Sequence, residues 1–288
     1  MEFKDDEVYV GKDLGGQDLE ITADLIETYI RATGDANGLY RQGPSPIAPA
    51  LILYNEVYNH WGWYLPNIFG NLHGRQEWEI YRPLARGERA RTRCAVIDRY
   101  TKRDREYIVN EALAFDAKGR LACRGRTHQS FLMEAVPDGL DAEAKKKEKK
   151  ERPPHPSTVE GKRLDPIERK ITLDMSRAFS GPSENYHTDE AMAKQLGFPK
   201  VIVQGMLSTC LVSDLMTRNF GEGWYRGGRM AVNLTGIVWA DDTVVTRGTI
   251  TGLCPEGPHR RVTLTVWGEK DDGTLTLVGE ASALTDER

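Results

Sequence analysis

The feature that most constrains this chain is that it reads as the same pattern twice. Near Thr33 a helical stretch, Thr22–Ala32, gives way to Thr33-Gly34-Asp35-Ala36-Asn37-Gly38-Leu39-Tyr40. Pro46-Ile47-Ala48-Pro49-Ala50 then opens an apolar stretch from Leu51 to Trp61. Four strand-like runs follow, Arg75–Leu84, Arg89–Tyr100, Glu106–Asp116 and Arg120–Leu132, with Ala117-Lys118-Gly119 as a turn. The second half repeats the order. Ser180-Gly181-Pro182-Ser183-Glu184-Asn185-Tyr186-His187 precedes a short helix capped by Thr188 and ending near Gly197. Gln204-Gly205-Met206 opens an apolar helix to about Asn219. Runs at Arg229–Trp239, Thr243–Cys254, Arg260–Lys270 and Thr274–Leu284 read as strands, and Asp272-Gly273 as a hairpin turn. Gly181 lies 147 positions after Gly34, Gly205 lies 155 after Ala50, and Asp241-Asp242 lies 154 after Gly87-Glu88. Order and spacing held together indicate an internal duplication. One apolar helix and an antiparallel meander per half predict a sheet wrapped around a helix, with the two sheets edge to edge or back to back. Ile171, Leu173 and Met175 alternate as in a strand.

The halves are divided by Ala142–Pro156, a charge-rich segment that ends in prolines and suits a solvated linker. The expected organisation is a first repeat over residues 1–135, a linker over 136–165 and a second repeat over 166–288. The 39 Lys+Arg against 43 Asp+Glu give a formal charge of -4, which argues against a dedicated nucleic-acid binder. No apolar run approaches the ~18 residues of a membrane span. The acidic start, Met1 to Glu7, is not a secretory signal. Cys94, Cys123, Cys210 and Cys254 are too scattered for a zinc site or a disulfide framework and are expected as core residues or half-buried strand residues. A cytoplasmic setting is the expectation. There is no phosphate-binding loop, dinucleotide fingerprint, serine-hydrolase elbow or zinc-protease motif.

Thr33-Gly34-Asp35-Ala36-Asn37 and the spacing from Gly181 to His187 resemble the turn of the MaoC-like dehydratases, the (R)-specific enoyl-thioester hydratases of hot-dog fold. That family's motif is Ser/Thr-Gly-Asp-x-Asn, with His five positions after the Asp. Here Tyr40 replaces the His in the first half. In the second half Pro182 and Glu184 replace the Asp and Asn, while His187 is kept. Gln204-Gly205-Met206 resembles the family's His-Gly-Met, and Asn233 to Thr243 its following strand and turn. The resemblance covers nearly the whole chain except the linker. It implies an α+β, double hot-dog protein. The implied activity is a hydro-lyase acting on a 2-enoyl or 3-hydroxyacyl thioester of coenzyme A or an acyl carrier, with no cofactor, no metal and no nucleic-acid or membrane partner. It also implies a homo-oligomer.

That chemistry needs an acid/base group and a donor for the thioester oxygen. Gly205, lacking Cβ at a helix start, suits the donor role. His187 suits the acid/base, with an ordinary pKa of about 6.5. On spacing alone the reading as a surface residue that helps cap the helix at Thr188 comes first, and the resemblance turns it to the acid/base. Asp35 is either a plain turn residue or one that holds water, oriented by Asn37, with Tyr40 as a hydrogen-bond donor. Glu184 is the preferred substitute carboxylate in the second half, with Ser183 and Asn185 as alternatives for positioning water. Gln204 completes the helix start. Arg229, with Arg218 and Arg226, is a candidate for coenzyme phosphates or plain surface charge. The aromatic run Tyr58–Tyr64 is packing or an acyl wall, and His73 before a strand reads as structural. Two other readings stay open: a thioesterase using Glu56, and a non-catalytic acyl-thioester-binding subunit.

Overall fold

The computed structural model describes residues 8–42, 46–56, 72–102, 105–132 and 154–286. The aromatic run and the end of the first apolar stretch lie outside these, as does the linker up to residue 153. Among the described residues, twelve strands form one sheet: β1 (Asp13–Gly15), β2 (Asp18–Glu20), β3 (Leu72–Ile80), β4 (Arg89–Lys102), β5 (Arg105–Phe115), β6 (Leu121–Leu132), β7 (Lys162–Arg163), β8 (Ile167–Lys170), β9 (Arg229–Leu234), β10 (Thr243–Glu256), β11 (His259–Lys270) and β12 (Leu275–Thr285). Their order is β1-β4-β5-β6-β3-β9-β12-β11-β10-β7, with β2 on β4 and β8 on β10. The repeats therefore meet edge to edge, through the antiparallel β3–β9 pair from Arg75↔Asn233 to Glu79↔Arg229. Lys162 and Arg163, expected in the linker, already pair with β10.

The duplication is visible bond by bond. Gly87 and Asp241 are both left-handed, with φ of 82° and 76°. Gly87 N–H donates to Ile21 O at 2.8 Å, and Asp241 N–H donates to Ile171 O at 2.7 Å. Helix α1 (Ala23–Thr33) is capped by Thr22, whose side chain accepts from Leu25 N–H. Its counterpart, α2 (Leu173–Ser180), is capped by Thr172, which accepts from Met175 N–H. The strand expected from the alternation of Ile171, Leu173 and Met175 is thus a helix. Five residues of alternation do not separate the two periods, and the cap and the packing of α2 on α1 decide it. The short helix α3 (Glu190–Gln195) is capped by Asp189, not Thr188. The Thr188 hydroxyl instead accepts from Asn185 N–H at 2.9 Å.

Helix α4 (Gly205–Phe220) is buried on all sides from Met206 to Thr217, as befits a helix hydrophobic around its girth. It packs on β10, β11 and β12 and reaches β3 of the other repeat. A short helix, α5 (Glu222–Tyr225), follows it. One core runs through both repeats, from Ile26 and Trp78 to Leu211 and Leu264. In the first repeat, described residues Leu51–Glu56 form successive turns, with Tyr54 N–H bonded to Leu51 O at 2.9 Å. Cys94, Cys123 and Cys210 are buried, whereas Cys254 on β10 is exposed rather than core or half-buried. No helix of the described residues is long and apolar enough to cross a membrane.

Candidate active site at the start of the second central helix

The turn after α2 is built to present His187. Asn185 organises it: Nδ2 donates to the carbonyls of Ser180 and Ser183 at 3.1 and 3.0 Å, and Oδ1 accepts from His187 N–H at 2.8 Å. Ser176 Oγ donates to His187 O at 2.7 Å, which ties the turn to α2. The ring is held separately. Its Nδ1 lies 2.7 Å from the carbonyl of Ile202. A carbonyl only accepts, so Nδ1 carries the proton and the neutral ring keeps its lone pair on Nε2. Burial pushes the pKa down to about 4, against the pull of that carbonyl. The ring of Tyr186 packs against it at 3.9 Å.

Ile202 stands just ahead of α4, so the imidazole is anchored at that helix's entrance. Gln204 is the N-cap but makes no side-chain capping bond, and its Oε1 is buried without a partner. The first N–H groups of a helix lack intrahelical partners and carry the positive end of its dipole. A Cβ on Gly205 would come within 2.6 Å of Leu234 Cδ1 and 3.5 Å of His73 Nδ1, so glycine leaves the closest approach to this end. His73 therefore belongs to the site, although its sequence gave it a structural reading. It comes from β3 of the first repeat, which pairs with β9 of the second. Its Nε2 bonds Gln76 Oε1 at 3.1 Å, and burial pushes its pKa down to about 4.

The first-repeat motif is assembled elsewhere. Asp35 is 1% exposed and accepts the Tyr40 hydroxyl at 2.6 Å and the Asn37 N–H at 3.3 Å. Asn37 Oδ1 accepts from Leu39 N–H and caps a 3-10 turn over Gly38–Tyr40. Burial, and then the charge of Asp214 on α4, raise the Asp35 pKa to about 7. Asp214, fully buried, takes Arg218 at 2.6 and 3.0 Å and Arg169 at 3.2 Å. The Arg169 guanidinium lies against Gly34, 2.9 Å from where a Cβ would be. Asp35 and Tyr40 thus form a buried pair beside Asp214, at the boundary between the repeats.

Glu184 and Ser183 are exposed on the turn, and Asn185 is fully used in shaping it. Arg229 pairs with Glu256 at 3.5 Å and Arg226 with Glu222 at 3.3 Å. Glu56, the thioesterase candidate, is buried and accepts from Thr92 Oγ1 at 3.1 Å. The structure thus gathers His187, Asn185, Gln204 and Gly205 with His73, and sets Asp35, Asn37 and Tyr40 apart.

Residues 154–268 match the family model of the MaoC like domain. No curated protein matches the chain. Among solved structures, a MaoC-like dehydratase from Phytophthora capsici is 17% identical over 99% of this chain and 99% of its own, with a TM-score of 0.76. A putative MaoC domain protein dehydratase from Chloroflexus aurantiacus is 12% identical over 98% and 97%, with a TM-score of 0.70. A Mycobacterium tuberculosis protein described as having a double hotdog fold is 14% identical over 97% of each chain, with a TM-score of 0.65.

Proposed function

We propose, from a chain whose residues 154–268 match the MaoC like domain and whose fold is that of double hot-dog structures, that this protein is a hydro-lyase. It adds water to a 2-enoyl thioester, or removes it from the 3-hydroxyacyl form, with coenzyme A as the preferred carrier. The observation that carries this is the imidazole of His187 fixed through Nδ1 to Ile202 O, at the entrance of the helix that begins with Gly205.

The thioester oxygen is received at the α4 N-terminus, where the Gly205 N–H and the helix dipole meet the charge that grows on it. Neutral His187 takes a proton from water through Nε2 as the hydroxyl adds to C3. The resulting imidazolium returns that proton to C2, so the ring ends as it began and one water has been added across the double bond. Loss of one such oxyanion donor costs about 2.7–4 kcal/mol in other enzymes. Loss of a general base costs about 10²–10⁴-fold.

Crotonyl-CoA and longer 2-enoyl-CoAs, followed by loss of the enoyl absorbance, test the reading. Hydration is expected, with His187→Ala lowered by about 10²-fold or more. Full hydration by that variant, or release of free thiol in place of hydration, overturns it.

A further inference from the structure

The duplication supplies an internal control for every inner-face position. In the second repeat the cross-strand row beneath α4 is Leu264↔Ala281↔Met230, apolar and buried throughout. The row 154 positions earlier is Asn110↔Thr127↔Gln76, equally buried but polar at each place. One rung further, Gln129 stands where the second repeat has Ala283, opposite Ile108 and Val262 respectively. These residues face the core, because they stand two or four positions along the same strands from Trp78, Ile108, Cys123 and Phe131, which are core members.

Burying an amide or hydroxyl costs about 1–3 kcal/mol unless it is paired. Part of the row is paired internally: Thr127 Oγ1 donates to Gln76 Oε1 at 2.7 Å, and Gln76 Nε2 donates to Glu77 O at 3.1 Å. Gln129 Oε1 is buried and has no partner. Gln129 is also the register partner of His73, whose ring meets Gly205 at the start of α4. The polar row thus leads to the helix end that receives the thioester, where Gln204 Oε1 is a second unpartnered buried acceptor. Asn110, Thr127, Gln76 and Gln129 carry no charge, so the group they suit is uncharged.

We propose that this row is the acyl-binding wall, and that the substrate's acyl chain bears an uncharged hydrogen-bond donor, a hydroxyl or an amide N–H, rather than plain alkyl carbon. This rests on the hydro-lyase reading of the α4 entrance. The donor supplies Gln129 Oε1 with the bond that no side chain gives it.

The test compares 2-octenoyl-CoA with its hydroxylated counterparts, the hydroxyl placed in turn on each carbon from C5 to C8, using the full chain. At least one hydroxylated substrate is expected to exceed the plain one in kcat/KM by about tenfold or more, since sites built for a hydroxyl discriminate strongly against its absence. The variant Gln76→Met, Thr127→Ala, Gln129→Ala, which copies the second repeat, is expected to bring the ratio to one or invert it. Gln129→Ala alone serves if the triple change does not fold. A wild type that favours plain alkyl throughout, or a ratio unmoved by the variants, overturns the polar wall. Turnover of no substrate counts against the hydro-lyase instead. Calorimetric binding of the same pair then decides: tighter hydroxylated ligand supports the wall, and equal affinity refutes it.

Discussion

A histidine becomes a usable base when one nitrogen is committed and the other is not. At His187 the commitment is the Nδ1 bond to Ile202 O, and the surrounding protein keeps the ring neutral by disfavouring its charge. With the pKa pushed down to about 4, the neutral form persists well below the ordinary value near 6.5. The acid limb of kcat/KM for crotonyl-CoA is therefore expected near about pH 4 to 5. A limb centred on about 6.5, in a pH series between 4 and 8, contradicts this. The motif spacing made His187 legible, whereas its tautomer depends on a carbonyl fifteen positions away and was not. The same limit applies to Asp35. Its local Gly-Asp-x-Asn pattern fits a working site as well as a buried turn, and neither its bond to Tyr40 nor the Arg169 guanidinium of the neighbouring repeat can be read from it. Tyr40→Phe removes the hydroxyl that donates to that carboxyl and is expected to cost about 1–3 kcal/mol of stability by urea unfolding.

At the level of elements, the long strands were legible because alternation over ten or more residues has no helical reading. The expected Arg89–Tyr100 and Arg260–Lys270 lie within a residue or two of the observed β4 and β11. Short elements were not. Helix α2 has eight residues, too few for periodicity to speak, and its identity rests on the Thr172 cap and on contact with α1. Thr172→Ala strips the acceptor from Met175 N–H and is expected to cost about 1 kcal/mol. Thr172→Ser keeps the acceptor and should restore most of it. A loss equal in both variants, measured by thermal unfolding, sends the effect to packing of the methyl group rather than to the cap. The junction strands β3 and β9 were individually visible, but their pairing was not, because the sequence leaves edge-to-edge and back-to-back sheets equally open.

That pairing joins the two repeats into one sheet. Tyr54 of the first repeat donates to Phe179 O of the second at 2.6 Å and stacks on its ring, and the core is continuous across the junction. The clamp of Asp35, Asp214, Arg169 and Arg218 spans the same boundary, and it sets a pH dependence for the whole fold. The folded protein raises the Asp35 pKa from 3.8 to about 7, so between those values it holds a proton that the unfolded chain releases. By linkage this contribution is fully present below about pH 4 and is lost as pH rises through about 7. His187 and His73 act in the opposite sense. Their lowered pKa values make the unfolded chain the better proton binder between about 4 and 6.5, so their contribution is lost as pH falls through that window. Asp35→Asn removes the first effect and leaves the second. Its melting temperature relative to wild type is expected to be higher at pH 8 than at pH 5, within a single transition because the main core runs through both repeats. A difference that is flat with pH places the proton elsewhere in the clamp. A melt that splits in two shows instead that the β3–β9 junction, and not the clamp, is the weaker bond between the repeats.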